Sequence, residues 1–243
     1  MREVPQSILK KRRSIVVLAV LLALLVVVIR PDFAQDTPQV APVSTEVLSE
    51  STTGNELAID VLGRLEVKGR APKTGYARSE FGDGWATVGG CDMRNIMLAR
   101  GMTDVELATD NCVVLKGTLA DPYTGKLIEF VRGNKTSSLV QIDHVVALSD
   151  AWQKGAQDLD ADTRLQLAND PLELLAVDGP ANQKKGDGDA ATWLPPNKAF
   201  RCQYVARQIA VKSKYRLWVT EAEKSAMKRV LSGCGEQVLP LLS

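Results

Sequence analysis

The stretch that decides the fold runs from residue 140 to residue 185 and reads VQIDHVVALSDAWQKGAQDLDADTRLQLANDPLELLAVDGPANQKK. It opens with an apolar run in which Asp143 directly precedes His144, the single histidine of the chain. Imidazole is the side chain that titrates near neutral pH without help from its surroundings. If the protein uses a general base of the usual kind, His144 is therefore the candidate.

The apolar residues around this stretch predict a mixture of short strands and helices. Runs of β-branched residues predict strands, and apolar residues at helical spacing predict helices. A Gly-Pro pair at residues 179–180 predicts a turn before Asn182. The predicted strands are residues 112–119, 127–131, 139–148 and 172–177. The predicted helices are residues 55–66, a helix that starts near residue 92, residues 160–168 and residues 199–231 in the last third of the chain.

The residue types in this stretch suit the hydrolysis of a phosphodiester. That reaction needs a group that deprotonates water and a cation that stabilises the developing charge. His144 can supply the first, while Asp143 and an amide oxygen such as that of Asn182 can hold Mg²⁺, which prefers oxygen ligands. Adjacent residues of a strand point to opposite faces. The strand must therefore end or bend at Asp143 and His144 if both serve one site.

Motifs between residues 68 and 234 form an ordered set: GYARSEFGDGW, CDMRN, GTLADPYTGK, IEFVRGN, QIDHVVALSDAWQKGA, LLAVDGPANQKKGDGDAATWLPPN and FRCQYVARQIAVK. This set resembles the HNH (ββα-metal) nucleases. More closely, it is similar to secreted proteins of the actinobacterial type that carry the HNH domain also found at the C-terminus of GmrSD-type restriction enzymes. An Asp-His pair alone is a weak signal, whereas the complete ordered set is specific.

The resemblance implies an α+β fold with a ββα-metal core embedded in helices, and activity as a metal-dependent endonuclease on DNA, with RNA as a further substrate. Asp143 is the implied metal ligand and His144 the implied general base. Asn182, at the start of the helix that completes the ββα unit, is the implied second ligand. Lys185, one turn further along, would stabilise charge near the scissile phosphate. The implied cofactor is a divalent ion, with Mg²⁺ the first choice.

Glu173 departs from the family pattern, and Arg132 is a further candidate site residue. The family usually carries an Asn nine residues before Asn182, whose side chain ties the loop between the strands, and here that residue is Glu173. A carboxylate cannot donate the hydrogen bonds that an amide donates, so we expect a changed loop but not loss of catalysis. Arg132, in the hairpin before the Asp-His strand, is a candidate phosphate contact, with a solvated turn arginine as the equal alternative.

The first residues of the chain read as an export signal. Four basic residues at 10–13 precede fifteen uninterrupted apolar residues at 15–29, which is typical of a secretory signal or a signal anchor. A permanent anchor needs about 20 apolar residues, so cleavage and retention in the membrane both stay open. We expect residues 1–30 to be this N-terminal signal or anchor helix, residues 31–53 to be a flexible linker, and residues 54–243 to be the nuclease-like domain, outside the cytoplasmic membrane.

The charge of the chain is unevenly distributed. The net charge is +1, but residues 1–30 hold six of the 30 basic residues and one of the 29 acidic residues, so the remainder carries a net −4. A protein that holds nucleic acid mainly by its overall charge is basic. Any phosphate contact in this chain must therefore come from a local patch. Nucleic acid is the implied partner, and the sequence implies no protein partner.

The four cysteines fit an oxidising compartment. Cys91, Cys112, Cys202 and Cys234 include no C-x-x-C pair, so they give little support to a zinc ribbon or a thioredoxin-type site. We expect two disulfides, with free buried thiols as the alternative. Sequential pairing, one of three arrangements, would close two local loops that each stabilise the fold by roughly 3–4 kcal/mol.

Two other functions compete with the nuclease interpretation. A non-catalytic surface module could keep the fold and bind wall polymer or a partner protein, and Glu173 and the net −4 favour it. An extracellular hydrolase of a cell-wall phosphodiester is the second alternative. Neither a G-x-S-x-G nor an H-E-x-x-H motif occurs, which removes the common serine-hydrolase and zinc-protease classes. For Arg78 and Arg94, which belong to the motif set, the sequence assigns no chemistry.

Overall fold

A computed structural model of the chain describes residues 56–134 and 136–240. The predicted signal or anchor segment and the predicted linker lie outside the described residues. Within the described part, no helix is both long and apolar enough to cross a membrane.

The described residues form a mixed arrangement of helices and small antiparallel sheets, in agreement with the predicted α+β class. The strands are β1 (Thr87–Val88), β2 (Cys91–Asp92), β3 (Met102–Leu107), β4 (Val114–Ala120), β5 (Leu127–Val131), β6 (Val140–His144) and β7 (Leu174–Asp178). The helices are α1 (Ala58–Arg64), α2 (Met93–Gly101), α3 (Leu148–Trp152), α4 (Ala161–Asn169), α5 (Gly179–Lys185), α6 (Arg201–Lys214) and α7 (Glu221–Leu231). Short 3₁₀ turns lie at Arg78–Phe81, Ala156–Asp158 and Lys198–Phe200.

The antiparallel pair β6–β7 stands between two apolar clusters. Strands β3, β4 and β5 form a three-stranded sheet, and one face of β6–β7 packs with this sheet and α2. That face carries Val140, Ile142, Leu174 and Ala176. Val177, on the other face of β7, belongs to the larger cluster that α1, α6 and α7 help to form. Because side chains alternate between the two faces of each strand, β6 and β7 contribute residues to both clusters.

Helix α5 follows β7 directly and packs against both strands of the pair. The Asp178 carboxylate caps the helix by accepting a hydrogen bond from the Ala181 amide, and Pro180 occupies the first turn, where its missing N–H costs nothing. The predicted turn at residues 179–180 is thus wrong, because this Gly-Pro pair begins the helix. Asn182 consequently lies inside α5 rather than at its first residue.

Two further boundaries differ from the predictions. The strand predicted over residues 139–148 ends already at His144. Leu148, which was predicted to be the last strand residue, is the first residue of α3. Residues 145–148 are buried, so their apolar character reflects burial and not a strand period. The helix predicted over the last third of the chain is two helices. They are separated near Arg216, which has a positive φ of 53° that a helix cannot continue.

Both expected disulfides form, with sequential pairing. Cys91–Cys112 joins β2 to the segment that precedes β4, and Cys202–Cys234 joins the first turn of α6 to the chain after α7. No cysteine within the described residues is free. The second bridge fixes the C-terminal helices against each other, so the larger cluster is closed by covalent as well as apolar contacts.

Candidate active site

Asp143 and His144 lie at the end of β6, and their side chains point to opposite faces of the β6–β7 pair, as strand alternation requires. Asp143 faces α5. His144 is the last residue of the strand and lies on the face of Val140 and Ile142. The strand ends here, as the prediction required, but it does not bend the two side chains onto one face.

The Asp143 carboxylate is buried between Lys185 and Tyr123. Its Oδ1 accepts a hydrogen bond from Lys185 Nζ at 2.8 Å, and its Oδ2 accepts one from the Tyr123 hydroxyl. Burial raises the pKa of the Asp143 carboxyl, while the Lys185 charge opposes the rise. The same burial, together with the Asp143 charge, raises the pKa of Tyr123 well above its usual value, so the phenol stays a hydrogen-bond donor.

Helix α5 brings two of the predicted site residues to the Asp143 face. Asn182 Nδ2 donates to Gln141 Oε1 at 3.0 Å, and Gln141 shares the face of Asp143 because the two are separated by one residue. Lys185, one turn further on, also donates to the main-chain oxygen of His144 at 2.6 Å. The Lys185 ammonium group therefore contacts both the Asp143 side chain and the main chain of His144, the last residue of β6.

The Lys185 ammonium group is a cation held by oxygen atoms. A carboxylate oxygen and a main-chain oxygen contact its Nζ, and these are the atom types that a hard divalent ion takes as ligands. Lys185 thus occupies the position that a divalent ion beside Asp143 would take. The oxygen atoms around its Nζ are of the type that such an ion binds. No group of three or more His, Cys, Asp or Glu side chains in the described ranges could hold a metal, so one carboxylate would have to be supplemented by amide, main-chain or water oxygens.

His144 is held in one orientation by two contacts. Its Nε2 lies 2.9 Å from the main-chain oxygen of Ala168, and its ring stacks on Trp85 with a centroid distance of 5.8 Å and an interplanar angle of 4°. The pKa of His144 is lowered to about 3, chiefly by burial; the hydrogen bond with Ala168 opposes the fall, and the Arg78 and Lys185 charges contribute to it. The imidazole is therefore neutral at physiological pH. Because a carbonyl accepts, Nε2 carries the proton and Nδ1 carries the lone pair.

A cleft of about 330 Å³ opens beside the imidazole. We call it the His144 cleft. Its walls come from the 3₁₀ turn and glycine-rich loop that precede β1, from the first residue of α3 and from α4. The sequence prediction missed this wall, although its motif GYARSEFGDGW was part of the resemblance. The lining residues are Arg78, Ser79, Phe81, Gly82, Asp83, Gly84, Trp85, His144, Leu148 and Ala168.

Glu173 lies under the loop that follows β6. Its two carboxyl oxygens lie 3.2 Å from the Val146 amide, and its main-chain oxygen accepts from the Val145 amide at 2.9 Å. The side chain is fully buried, and burial raises the pKa of the Glu173 carboxyl well above its usual value. A protonated carboxyl both accepts and donates. Glu173 therefore ties the loop, as the amide of the family pattern would.

Arg132 is held by other parts of the fold. Its Nε donates to the main-chain oxygen of Val114 at 2.6 Å, and its Nη2 donates to Asn95. Asn95 in turn bonds to Asp92, which caps α2. In this arrangement Arg132 joins β5 to α2 and β4, and neither group that it binds lines the His144 cleft. The CDMRN motif thus caps α2 through Asp92 and stabilises the fold through these bonds.

The chain matches a known protein family over the segment that holds Asp143 and His144. A family model for the C-terminal domain of GmrSD restriction endonucleases matches residues 94–230, more than half of the chain. The chain belongs to this family. The resemblance predicted from the motifs is therefore confirmed, and this GmrSD C-terminal domain is a nuclease-type domain. The match includes Asp143, His144, Asn182 and Lys185, whereas the Arg78–Trp85 wall of the cleft lies before it.

A further relative of this GmrSD C-terminal domain is an "Uncharacterized secreted protein" of Arthroderma benhamiae. The two chains are 37% identical over 201 residues, which cover 82% of this chain and 92% of the relative. No solved structure matches the chain.

Proposed function

We propose that the protein is an exported endonuclease that hydrolyses phosphodiester bonds of DNA, with RNA as a further substrate, and that the reaction takes place at the His144 cleft. The family supports the reaction class. The observation that carries the proposal is the state of His144. Its proton is committed to the Ala168 carbonyl through Nε2, and its side chain lines an open cleft.

His144 acts as the general base in this proposal. Nδ1 has no hydrogen-bond partner among residues 56–134 and 136–240, so its lone pair is available to take a proton from water. A pKa of about 3 keeps the imidazole neutral but makes it a weak base. A phosphate in the cleft adds negative charge beside the ring, which favours the protonated form and raises this pKa during the reaction.

Asp143 and Asn182 are the proposed ligands of a divalent ion, with Mg²⁺ the first choice. When bound, such an ion supplies Lewis-acid stabilisation of charge on the phosphate oxygens. The position of Lys185 supports the assignment, because oxygen atoms already hold a positive charge beside Asp143, and a divalent ion there would displace the ammonium group from the carboxylate. Lys185 is the proposed charge stabiliser near the scissile phosphate, and in this structure it holds the end of β6 through the His144 main-chain oxygen.

Export is part of the proposal. The basic and apolar leader supports it, as do two disulfides, which persist in oxidising compartments. The printed name of the Arthroderma benhamiae relative also describes a secreted protein. Retention by an uncleaved leader at the outer face of the membrane remains the second form of this proposal.

The proposal is tested with the purified protein and supercoiled plasmid in Mg²⁺, beside His144→Ala. We expect nicked and linear DNA from the wild type and a loss of at least about a hundredfold in rate for the variant. Equal nicking by both proteins, or no nicking by either across Mg²⁺, Mn²⁺ and Ca²⁺, would contradict it. A parallel reaction with a teichoic-acid-type polymer separates the cell-wall alternative, which requires cleavage of the polymer and none of DNA.

A further inference from the structure

Arg78 is a cation of the His144 cleft to which the proposed reaction gives no role. It begins the 3₁₀ turn at Arg78–Phe81 and lines the cleft opposite the end of β6. Its charge is close enough to lower the pKa of His144. The residue lies outside the segment matched by the family model, so the family match assigns it nothing.

The Arg78 guanidinium has no ion pair or hydrogen bond with any residue that the structure describes, and the side chain is exposed. Arg164, on α4, bonds to Glu80 in the same 3₁₀ turn and is therefore engaged within the fold. Arg78 is the one arginine of the cleft lining, and its donors remain available to a ligand.

We propose that Arg78 binds a phosphate group of the nucleic acid inside the His144 cleft and thereby positions the scissile bond against the imidazole. The inference rests on the proposed function, because it names the contact that brings the substrate to that base. A guanidinium group offers a planar fork of N–H donors that matches two phosphate oxygens. Residues 54–243 hold 24 basic and 24 acidic residues, so this domain has no net positive charge, and Arg78 supplies in the cleft the local positive charge that the sequence required.

The walls around Arg78 suit one segment of a nucleic acid strand. The loop at residues 82–84 supplies two glycines with positive φ, Gly82 at 99° and Gly84 at 136°, so backbone approaches the cleft without large side chains. Trp85 holds the imidazole plane by stacking. Asp83 is the one acidic side chain of the lining, and it forms no ion pair with Arg78. The phosphate therefore does not have to displace an internal partner.

The test measures binding without cleavage. Each variant is made in the full-length chain with His144→Ala, and the affinity for a fluorescein-labelled single-stranded oligonucleotide is measured by anisotropy in EDTA. We expect Arg78→Met to weaken binding by on the order of tenfold. Arg78→Lys, which keeps the charge but loses the fork, should fall between Arg78→Met and the parent. Arg229→Met is the matched control, because Arg229 is an exposed arginine on α7 that does not line this cleft.

A second readout separates a phosphate contact from a structural effect. The slope of log K against log salt should become shallower by about 0.7 in Arg78→Met, as expected for one lost contact with a single strand, while the melting temperature stays unchanged. Equal affinity and slope in Arg78→Met and Arg229→Met would overturn the inference, and so would the absence of oligonucleotide binding by the parent. Failure of the nuclease assay with a retained Arg78 effect would reject the proposed chemistry and leave this binding site standing.

Discussion

Glu173 performs with a carboxyl group the task that the family pattern gives to an amide. The sequence predicted a changed loop, because an ionised carboxylate cannot donate hydrogen bonds. In the structure the Glu173 side chain lies under this loop. Burial raises the pKa of Glu173 well above its usual value, which favours the uncharged carboxylic acid, and the carboxyl group accepts from the Val146 amide.

Replacement of Glu173 by Gln should alter the pH dependence of stability. Because the pKa of Glu173 is higher in the folded protein than its usual 4.5, the unfolded chain loses this proton first as pH rises. Glu173 therefore lowers the free energy of unfolding above pH 4.5, by up to about 1.4 kcal/mol per pH unit until the folded group also ionises. Urea unfolding at pH 4.5 and 7.5 should show Glu173→Gln gaining relative to wild type at the higher pH. A constant difference would contradict the assignment.

Lys185 gives a direct test of the proposed ion position. Lys185→Met leaves the Asp143 carboxylate buried without its ammonium partner, which costs roughly 3–5 kcal/mol of stability when a buried pair is broken. Added Mg²⁺ or Mn²⁺ should raise the melting temperature of this variant at pH 8 more than that of wild type, since the ion replaces the missing charge. Lys184→Met, on the exposed side of the same helix, is the control. A melting temperature of Lys185→Met that ignores divalent ions would reject Asp143 as a ligand.

At the scale of elements, helix α5 depends on a close approach to the start of β6. The Gly179 amide donates to the Leu139 main-chain oxygen at 2.8 Å, and a Cβ on Gly179 would lie 2.1 Å from the Ser138 main-chain oxygen. A glycine is therefore required where the helix begins. This contact sets the position of Asn182 and Lys185 relative to Asp143.

We predict that Gly179→Ala displaces α5 and lowers the free energy of unfolding by about 1–3 kcal/mol or more, as overpacking against backbone does. Gly63→Ala is the matched control, because Gly63 is exposed in α1 with nothing within 4 Å of an added Cβ. The control should be neutral or more stable by up to about 1 kcal/mol through helix propensity. Urea unfolding of both variants checks the prediction, and equal stabilities would contradict it.

Sequence reasoning succeeded where local patterns decide the element. The helix that starts near Asp92, the strand at residues 127–131 and the helix capped by Asp160 all appear where predicted. The prediction of a strand over residues 145–148 was wrong, because these residues are apolar through burial in the tertiary structure and not through strand formation. For the site, sequence reasoning named residues of β6 and α5, and their roles stay predictions. It could not identify the Arg78–Trp85 wall, because that segment reaches His144 only through long-range packing.

At the scale of the whole molecule, a buried ionic network joins segments that are distant in sequence. Lys154 Nζ lies 2.8 Å from Asp150, 2.8 Å from Asp189 and 2.6 Å from Glu223. Desolvation lowers the pKa of Lys154, but the neighbouring carboxylates more than compensate and raise it. Lysines are mostly exposed in proteins, and nothing in the segments QKGA and IAVK marks Lys154 and Lys212 as buried, so sequence alone could not predict the network. Its members are Arg70, Asp150, Lys154, Asp189, Lys212 and Glu223.

Removal of Lys154 should destabilise the whole domain. Lys154→Met leaves Asp150, Asp189 and Glu223 with one ammonium group and one guanidinium group, and the expected loss is roughly 3–5 kcal/mol. Lys116→Met removes an exposed pair with Glu106 and should change stability by less than about 1 kcal/mol. Thermal unfolding of the two variants at pH 7.5 measures the contrast. A loss in Lys154→Met as small as that in the control would show that the network contributes little.

We propose that this molecule hydrolyses nucleic acid with His144 as its base, and the rate of plasmid nicking in Mg²⁺ measures that activity. The comparison is wild type, His144→Ala and, as a folded control on α5, Lys184→Met. We predict nicking by wild type and Lys184→Met at similar rates, and a rate at least about a hundredfold lower for His144→Ala. Nicking by His144→Ala at the wild-type rate, or intact plasmid in every reaction, would contradict it.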